Sequence, residues 1–201
     1  MTKLVVILNG APNSGKNHIT KELIKHLVLT DLTVDFLEFK TALYRETASQ
    51  YYMPYFDFVN LASNRSTKDL PNERLGGLTP RQAMIETSEN YIKPLYGKEF
   101  FAEILLERIT NKDIYIIPDG GFKEEVQALI DSPKIDKIML VHLTAPGTSF
   151  AGDSRYQVLD SMLHDHKNKL IIQPIFNNKK DHSAVIFLLN SIYQTCTYLQ
   201  K

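Results

Sequence analysis

The sequence predicts an α/β protein, a three-layer sandwich whose central parallel sheet has five strands. Short apolar runs rich in β-branched residues alternate along the chain with stretches in which apolar residues recur at helical spacing. A glycine-bearing turn joins the first such run to the first such helix. Because parallel neighbours need long crossover connections, this alternation favours helices on both faces of the sheet.

Five segments of the chain are predicted to be strands. The first, KLVVILN, is a continuous apolar run with β-branched residues, which is typical of a strand buried on both faces. The third, DIYIIPD, is also predicted to be buried, and KIMLVHLT and LIIQPIF are the fourth and fifth predicted strands. The predicted strands are residues 3–9, 33–39, 113–119, 137–144 and 170–176.

Helical patterns fill most of the remaining chain. After the first turn, Ile19, Leu23, Ile24 and Leu27 form one apolar stripe. A later helix begins near Thr79, a suitable cap followed by Pro80, and Pro94 is expected to end it. Polar residues and two adjacent glycines predict a loop over residues 63–78. The other predicted helices are residues 41–62, with aromatic interruptions, 98–110, 122–131 and 182–199.

Composition is that of an ordinary folded domain. Of 201 residues, 43% are apolar and 23% charged, and 23 basic residues balance 23 acidic ones. With no net charge to attract a polyanion, any nucleic-acid contact must be local. The single cysteine, Cys196, excludes an internal disulfide framework, and we interpret it as a small buried hydrophobe. No apolar run is long enough to span a membrane and no signal-peptide layout is visible, so we expect a cytoplasmic protein without a membrane partner.

A phosphate-binding loop is the strongest functional signal. Residues 10–16 match G-x-x-x-x-G-K directly between a predicted strand and a predicted helix. Glycines at both ends let the backbone approach a phosphate closely, so that N–H groups and the helix N-terminus point at the anion. Lys16 would reach the β- and γ-phosphates. The predicted cofactor-binding residues are Gly10, Ala11, Pro12, Asn13, Ser14, Gly15, Lys16 and Asn17.

Two oxygen-bearing side chains are candidate magnesium ligands. Asn17 stands where a Ser or Thr hydroxyl usually binds the metal, and its amide oxygen would bind Mg²⁺ or one of its waters. Asp119 ends a predicted strand, at the sheet edge where ligands of open α/β proteins bind. We therefore predict a metal or catalytic role for Asp119.

Four segments carry a family resemblance. They are LNGAPNSGKN from Leu8, LTPRQAMIETSENYIKPLYGKEFF from Leu78, IIPDGGFKEE from Ile116 and APGTSFAGDSRYQVL from Ala145. On these the chain resembles P-loop kinases of the nucleoside monophosphate kinase type. It is most similar to the phage 5-hydroxymethyluridine DNA kinases and the phage deoxynucleoside monophosphate kinases.

The resemblance implies a single kinase domain with two appended functional segments. Lys40 and Arg81 would bind the acceptor, Arg155 would meet the transferring phosphoryl group as a lid closes, and Asp119 would orient the metal. The donor would be ATP with Mg²⁺. The implied segments are a core of residues 1–40, 112–145 and 167–201, a helical acceptor-binding insertion of residues 41–111, and a short lid of residues 146–166.

The resemblance also implies the acceptor, with alternatives. The preferred acceptor is the 5-hydroxymethyl group of 5-hydroxymethyluridine in phage DNA, and the alternative acceptors are free deoxynucleoside monophosphates. A hypothesis from a different class, a switch ATPase that needs no acceptor, also stays open. Gly121 and Lys123 depart from the D-G-F-P-R pattern of adenylate-kinase-like enzymes, which argues against AMP. A hydroxyl acceptor needs a base, and Glu38 and Asp119 are both candidates.

The partners that we expect for this protein follow from the same resemblance. A DNA substrate would be single-stranded or present an extruded base, which aromatic side chains could stack on. Packing between helices is the commoner role of such a cluster. The sequence indicates no obligate protein partner, and the formation of a homodimer stays an open alternative. A phage-encoded enzyme would act in the host cytoplasm. The aromatic candidates are Tyr51, Tyr52, Tyr55, Phe56 and Phe58.

Overall fold

A computed structural model describes residues 3–166, 168–179 and 181–199. The expected core boundaries at residues 1, 167 and 201 lie outside the described residues. In chain order the elements are β1 Leu4–Gly10, α1 Lys16–Leu27, β2 Val34–Phe36, α2 Phe39–Gln50, α3 Tyr55–Ser63, α4 Pro80–Glu86, α5 Lys93–Tyr96, α6 Phe100–Glu107, β3 Ile114–Ile117, α7 Lys123–Asp131, β4 Lys137–Thr144, β5 Leu170–Phe176 and α8 Ser183–Leu199. Among these residues, no helix is both long and apolar enough to cross a membrane.

The five strands form one parallel sheet, which confirms the predicted α/β fold. Their order is β2-β3-β1-β4-β5, and every neighbouring pair is parallel. In the centre, Val6 of β1 lies beside Ile116 of β3 and Met139 of β4. Since the strands are parallel, the loops that follow them emerge at the same edge, where ligands of open α/β sheets bind.

One apolar core joins the sheet to α1 and α8. Every residue of β1 is buried, as the continuous apolar run predicted, so both faces of the central strand are covered. The apolar stripe of α1 and the buried face of α8 pack on one side of the sheet. The core residues from the two helices are Ile19, Leu23, Leu27, Ala184, Val185, Leu188, Leu189 and Ile192.

The chain divides into two compact units. The first, Met1–Glu38 with Leu106–Lys201, contains the sheet. The second, Phe39–Leu105, is helical and has its own apolar core. That core consists of Tyr44, Ala48, Met53, Phe58, Ala62, Leu75 and Ala83. The second unit therefore has the packing of a small helical body, and an acceptor-binding role for it stays a prediction.

The sequence predicts that Pro94 ends the helix that begins near Thr79, and this prediction is wrong. Helical backbone continues from α4 through a π-helical turn, Thr87–Ile92, into α5, which contains Pro94. In that turn the N–H of Lys93 donates to the carbonyl of Ser88, five residues back. The wider turn lies directly ahead of the proline, whose nitrogen has no hydrogen to donate. The helix ends instead at Gly97, where φ is 95°.

The helix predicted over residues 41–62 is two helices, α2 and α3. The break falls at Tyr52, whose φ of 50° is left-handed, and at Pro54, which precedes the first residue of α3. Two strands are also shorter than predicted. β2 spans only Val34–Phe36, and β3 stops before Pro118, which cannot donate to a sheet ladder.

Candidate phosphate-binding site

The loop between β1 and α1 ends on an uncapped helix N-terminus. Asn13 and Gly15 both have left-handed φ values, 63° and 97°, and the N–H of Ser14 donates to the carbonyl of Ala11 at 3.2 Å. Gly15 is the N-cap residue of α1 and offers no side chain to the first turn, which also contains no acidic residue. The positive end of the helix is therefore left for an external anion.

Both loop glycines occupy places where a side chain would collide with its surroundings. A Cβ on Gly10 would lie 2.7 Å from the Leu143 carbonyl oxygen and from the Ser14 hydroxyl. A Cβ on Gly15 would run into the amide nitrogen of Asn177. The glycines of the motif are thus required by close packing, in addition to the left-handed backbone at Gly15.

Asn177 stabilises the loop through a hydrogen bond to Ser14. This residue was not identified from the sequence. It directly follows β5 and is only 4% exposed. Its Nδ2 donates to the Ser14 carbonyl at 2.9 Å, and its Oδ1 accepts from the N–H of Lys179 at 3.0 Å. Its own N–H donates to the Thr144 carbonyl at 2.8 Å, so the loop is tied to the ends of β4 and β5.

Lys16 lies against the loop itself. Its Nζ donates to the carbonyl oxygens of Gly10 at 2.5 Å and Ala11 at 2.8 Å. Ala11 and Ser14 are both buried in the loop. The structure thus places an ammonium group and backbone N–H groups together in one loop, the combination that suits polyphosphate.

Glu38 and Asp119 lie at the same sheet edge as the loop. Each follows its strand by two residues, Glu38 after β2 and Asp119 after β3, and both are half-buried. β3 stands between β2 and β1, and all three strands run in the same direction. The fold therefore brings both candidate bases to the edge from which the phosphate loop emerges.

Arg155 is held by a neighbouring carboxylate. Its Nε and Nη2 donate to the two oxygens of Asp153, each at 2.8 Å, and the Asp153 side chain is only 6% exposed. This hydrogen bonding raises the pKa of Arg155 against the opposing effect of burial, and the charges of Asp119 and Glu125 add to it. Arg155 is thus a permanent cation in electrostatic contact with the Asp119 edge.

Asn9, immediately before the loop, joins three segments of the site. It is 1% exposed and donates through Nδ2 to the carbonyls of Gly120 at 3.1 Å and Tyr156 at 2.9 Å. Its Oδ1 accepts from the N–H of Val158 at 2.9 Å. The sequence offered one signal for it: a polar residue at the end of an apolar strand, directly before the first loop glycine.

Lys40 and Arg81, the predicted acceptor-binding residues, both belong to the second unit. Lys40 is half-buried at the start of α2. Arg81 is exposed on α4, where its Nε donates to Asp69 at 2.8 Å. Such an exposed ion pair contributes little stability, so Arg81 can exchange its partner at small cost. Their contact with an acceptor stays a prediction.

The oxygen-bearing side chains near the loop fit a magnesium ion that accompanies a phosphate ligand. Within the described ranges, no group of three or more His, Cys, Asp or Glu side chains is arranged to hold a metal ion. Mg²⁺ that arrives with a nucleotide takes most of its ligands from phosphates and water, so one or two protein oxygens suffice. Asn17, exposed in the first turn of α1, and Asp119 are the oxygens that would hold it.

Comparison with known proteins finds likeness only at the level of solved structures. No protein-family model and no curated protein matches the chain. The chain is similar to TT1252 from Thermus thermophilus, at 11% identity and a TM-score of 0.47, over 97% of this chain and 98% of that one. It is also similar to an unliganded sugar kinase from Janibacter sp. HTCC2649, at 14% identity and a TM-score of 0.36, over 100% of this chain and 95% of that one. Likeness of this degree leaves the function to be inferred from the chain's own residues.

Proposed function

We propose that this protein is an ATP-dependent phosphotransferase that holds the donor's phosphates in the loop of residues 10–16. The observation that carries the proposal is the junction of β1 and α1. There an uncapped helix N-terminus, two tightly packed glycines and the Lys16 ammonium meet in one loop. Fixed N–H dipoles with a nearby ammonium favour a polyphosphate over any neutral ligand.

The residues around the loop suit phosphoryl transfer. This reaction needs reactants in line and positive charge around the equatorial oxygens, with little covalent chemistry from the protein. Lys16 and Arg155 would supply that charge, and Mg²⁺, held by Asn17 and Asp119, would neutralise further charge on the phosphates. The electrostatic contact between Arg155 and Asp119 supports their acting at one site.

The acceptor we propose is the 5-hydroxymethyl group of 5-hydroxymethyluridine in DNA. A hydroxyl must lose its proton as the new bond forms, whereas a nucleotide phosphate is already a nucleophile. Two carboxylates at the edge of the phosphate loop, Glu38 and Asp119, provide a base as well as a metal ligand. Free deoxynucleoside monophosphates are the alternative acceptor, and a switch ATPase is the alternative that needs none.

Transfer of labelled γ-phosphate from ATP tests the proposal directly. The two acceptor sets are free deoxynucleoside monophosphates and single-stranded DNA that contains thymidine or 5-hydroxymethyluridine. Label on the hydroxymethyluridine DNA alone supports the proposed acceptor, and label on free monophosphates replaces it with the alternative. ATP hydrolysis that no acceptor stimulates would identify a switch ATPase.

Lys16→Ala and Lys25→Ala form a matched pair on α1. Lys16 lies against the loop, whereas the Lys25 side chain is 64% exposed and pairs with Glu22. We expect Lys16→Ala to lower the transfer rate by about 100-fold or more while circular dichroism stays unchanged. Lys25→Ala should transfer at the wild-type rate. Full activity in Lys16→Ala would rule out the phosphate-loop function.

The choice of base needs a separate pair of variants. Glu38→Gln and Asp119→Asn each replace one carboxylate at the sheet edge with an uncharged amide, and the side chain keeps its size. The variant that lacks the base should lose the rise of kcat with pH, because deprotonation of the acceptor no longer has a titrating group. The other variant should keep the pH profile and show a raised magnesium requirement if it lacks the metal ligand.

A further inference from the structure

The chain segment that contains Arg155 is bonded to the phosphate-loop edge on one side. The Asn9 carboxamide donates to the carbonyl of Tyr156 and accepts from the N–H of Val158, both at 2.9 Å. The same carboxamide donates to the carbonyl of Gly120 at 3.1 Å. Because Asn9 is buried and stands next to Gly10, these bonds fix the segment relative to the loop.

Hydrogen bonds to the residues that follow β3 hold the same segment as well. The N–H of Tyr156 donates to the Gly121 carbonyl at 3.3 Å, and its hydroxyl accepts from the N–H of Lys123 at 3.1 Å. The ring of Tyr156 packs edge-on against Phe122, with ring centroids 6.1 Å apart. Val158 is completely buried. Tyr156 and Val158 are thus held by hydrogen bonds to Asn9 and to the loop that follows β3.

The Arg155 side chain is itself held in place, and it has N–H donors that Asp153 does not use. Its stem crosses Gly121, where an added Cβ would lie 2.6 Å from the Arg155 Cγ. Asp153 takes two of the five guanidinium N–H donors in a fork. The remaining three can bind a phosphate without breaking the Asp153 contact.

Residues 146–152, earlier in the expected lid, are bonded differently. Their hydrogen bonds in the described structure stay within residues 145–153: the N–H and hydroxyl of Thr148 donate to the Ala145 carbonyl, and the N–H of Ala151 donates to Ser149. Gly147 and Gly152 both have left-handed backbone. This stretch can therefore change conformation without breaking a hydrogen bond to the sheet.

We propose that Asn9 is a positioning residue that fixes Arg155 beside the phosphate loop before any nucleotide binds, so that residues 146–152 can move while Arg155 stays in place. The inference rests on the proposed phosphotransferase function for what Arg155 contacts, but the placement of Arg155 is a property of the free protein. A cation already in position stabilises transition-state charge without reorganisation during the reaction, which a lid arginine must undergo.

Amide hydrogen exchange of the full chain, followed residue by residue by NMR, tests the placement without any activity. In free wild-type protein the amides of Tyr156 and Val158 should exchange at least about 100-fold slower than in an unfolded chain. Addition of a non-hydrolysable ATP analogue with Mg²⁺ should change these two rates little. Exchange at the unfolded rate in the free protein, with protection gained only on adding the analogue, would overturn the proposal.

Asn9→Ala and Gln127→Ala are matched variants for the same measurement. Gln127 on α7 also makes two side-chain bonds to the 146–166 segment, to the carbonyl and N–H of His164, at its far end. Asn9→Ala should accelerate exchange at Val158 by at least about tenfold. Gln127→Ala should accelerate His164 alone. Equal protection of Val158 in wild type and a folded Asn9→Ala protein would show that Asn9 does not hold the segment.

Kinetics separate positioning from a general loss of stability. Asn9→Ala and Arg155→Ala should each lower kcat by a similar factor while the Kd of the ATP analogue changes less than threefold, roughly. In the Arg155→Ala background, Asn9→Ala should cost nothing more. The same fold-loss in both backgrounds would mean that Asn9 acts independently of Arg155. Absence of any transfer by the wild type would contradict the proposed function, whereas the exchange rates would still decide the placement of Arg155.

Discussion

At the scale of single residues, Gly121 shows how closely Arg155 is packed. An added Cβ would lie 2.6 Å from the Arg155 Cγ and 2.8 Å from its Cβ and Cδ. Gly121 is not among the residues with left-handed backbone, so the restriction is steric. We expect Gly121→Ala to displace the guanidinium and lower kcat by about tenfold or more, since misplaced catalytic groups are costly. Steady-state transfer assays measure the effect.

The Arg155→Ala background provides the control for that substitution. With the long side chain removed, the methyl group of Gly121→Ala has room, so the double variant should transfer at the rate of Arg155→Ala alone. A further tenfold loss in the double variant would mean that Gly121 matters for another reason, such as the adjacent Asp119.

Cys196 should react slowly, because it is half-buried against the main core. Burial raises the pKa of its thiol to about 11, and the charge of Asp113 adds to the effect. Only the thiolate attacks disulfide reagents, so a raised pKa leaves little reactive form at pH 8. Labelling by an aromatic disulfide reagent at pH 8 should be on the order of 100-fold slower in the native protein than in urea. Equal rates would contradict the burial of this thiol.

Which site residues the sequence could reveal depends on how local their role is. The turn of residues 10–15 between a strand and a helix was predictable, because consecutive residues specify it. Phosphate binding by residues 10–17 stays a prediction. Asn9 and Asn177 were missed because their partners lie 149 and 163 residues away along the chain, and no local pattern specifies such contacts. Gly121 was noticed as a departure from D-G-F-P-R, but only the structure shows that Arg155 fills that space.

At the scale of elements, apolar runs with sharp polar ends were the most predictable. β4 and β5 have the bounds that the sequence predicted, Lys137–Thr144 and Leu170–Phe176. The helix through Pro94 was not predictable in the same way. A proline ends a helix with ordinary i to i−4 bonding, whereas the π-helical turn Thr87–Ile92 changes the bonding ahead of it.

The capping box at the start of α4 should stabilise the protein measurably. The Thr79 hydroxyl accepts from the N–H of Gln82 at 3.1 Å, and the Gln82 side chain accepts from the N–H of Thr79 at 2.9 Å. Thr79→Ala leaves one N–H in the first turn of α4 without a partner. We expect a loss of about 1 kcal/mol in the free energy of unfolding, measured by urea titration with circular dichroism.

Thr197→Ala is the matched control for that loss. Thr197 is exposed on α8, and its hydroxyl donates to the Tyr193 carbonyl, which already accepts a helical bond. Its removal should change the free energy of unfolding by less than about 0.5 kcal/mol. If the two threonine variants were equally destabilised, the capping box would not be what stabilises α4.

At the scale of the whole molecule, the balance of charge sets colloidal behaviour. The net charge is zero with histidines neutral, and the isoelectric point is about 7.0. On the acid side of the isoelectric point the protein carries a net positive charge. We expect solubility to be lowest near pH 7 and to increase towards pH 5.5, as measured by light scattering of concentrated samples. A minimum well away from neutrality would mean that exposed apolar surface governs association.

Ion pairs between basic and acidic side chains of the second unit bear on DNA binding. Two arginines of the second unit that could contact phosphates are each paired with a carboxylate, Arg74 with Asp57 at 3.1 Å and Arg81 with Asp69 at 2.8 Å. We therefore expect unmodified single-stranded DNA to bind with a Kd weaker than about 10⁻⁴ M at physiological salt, measured by fluorescence anisotropy. Asp57→Asn combined with Asp69→Asn releases both guanidiniums, and should tighten binding and steepen its salt dependence because more counterions are displaced. Tight binding of unmodified DNA by the wild type would instead indicate a cationic surface beyond these two arginines, and selectivity for a modified base would then have to arise in the chemical step.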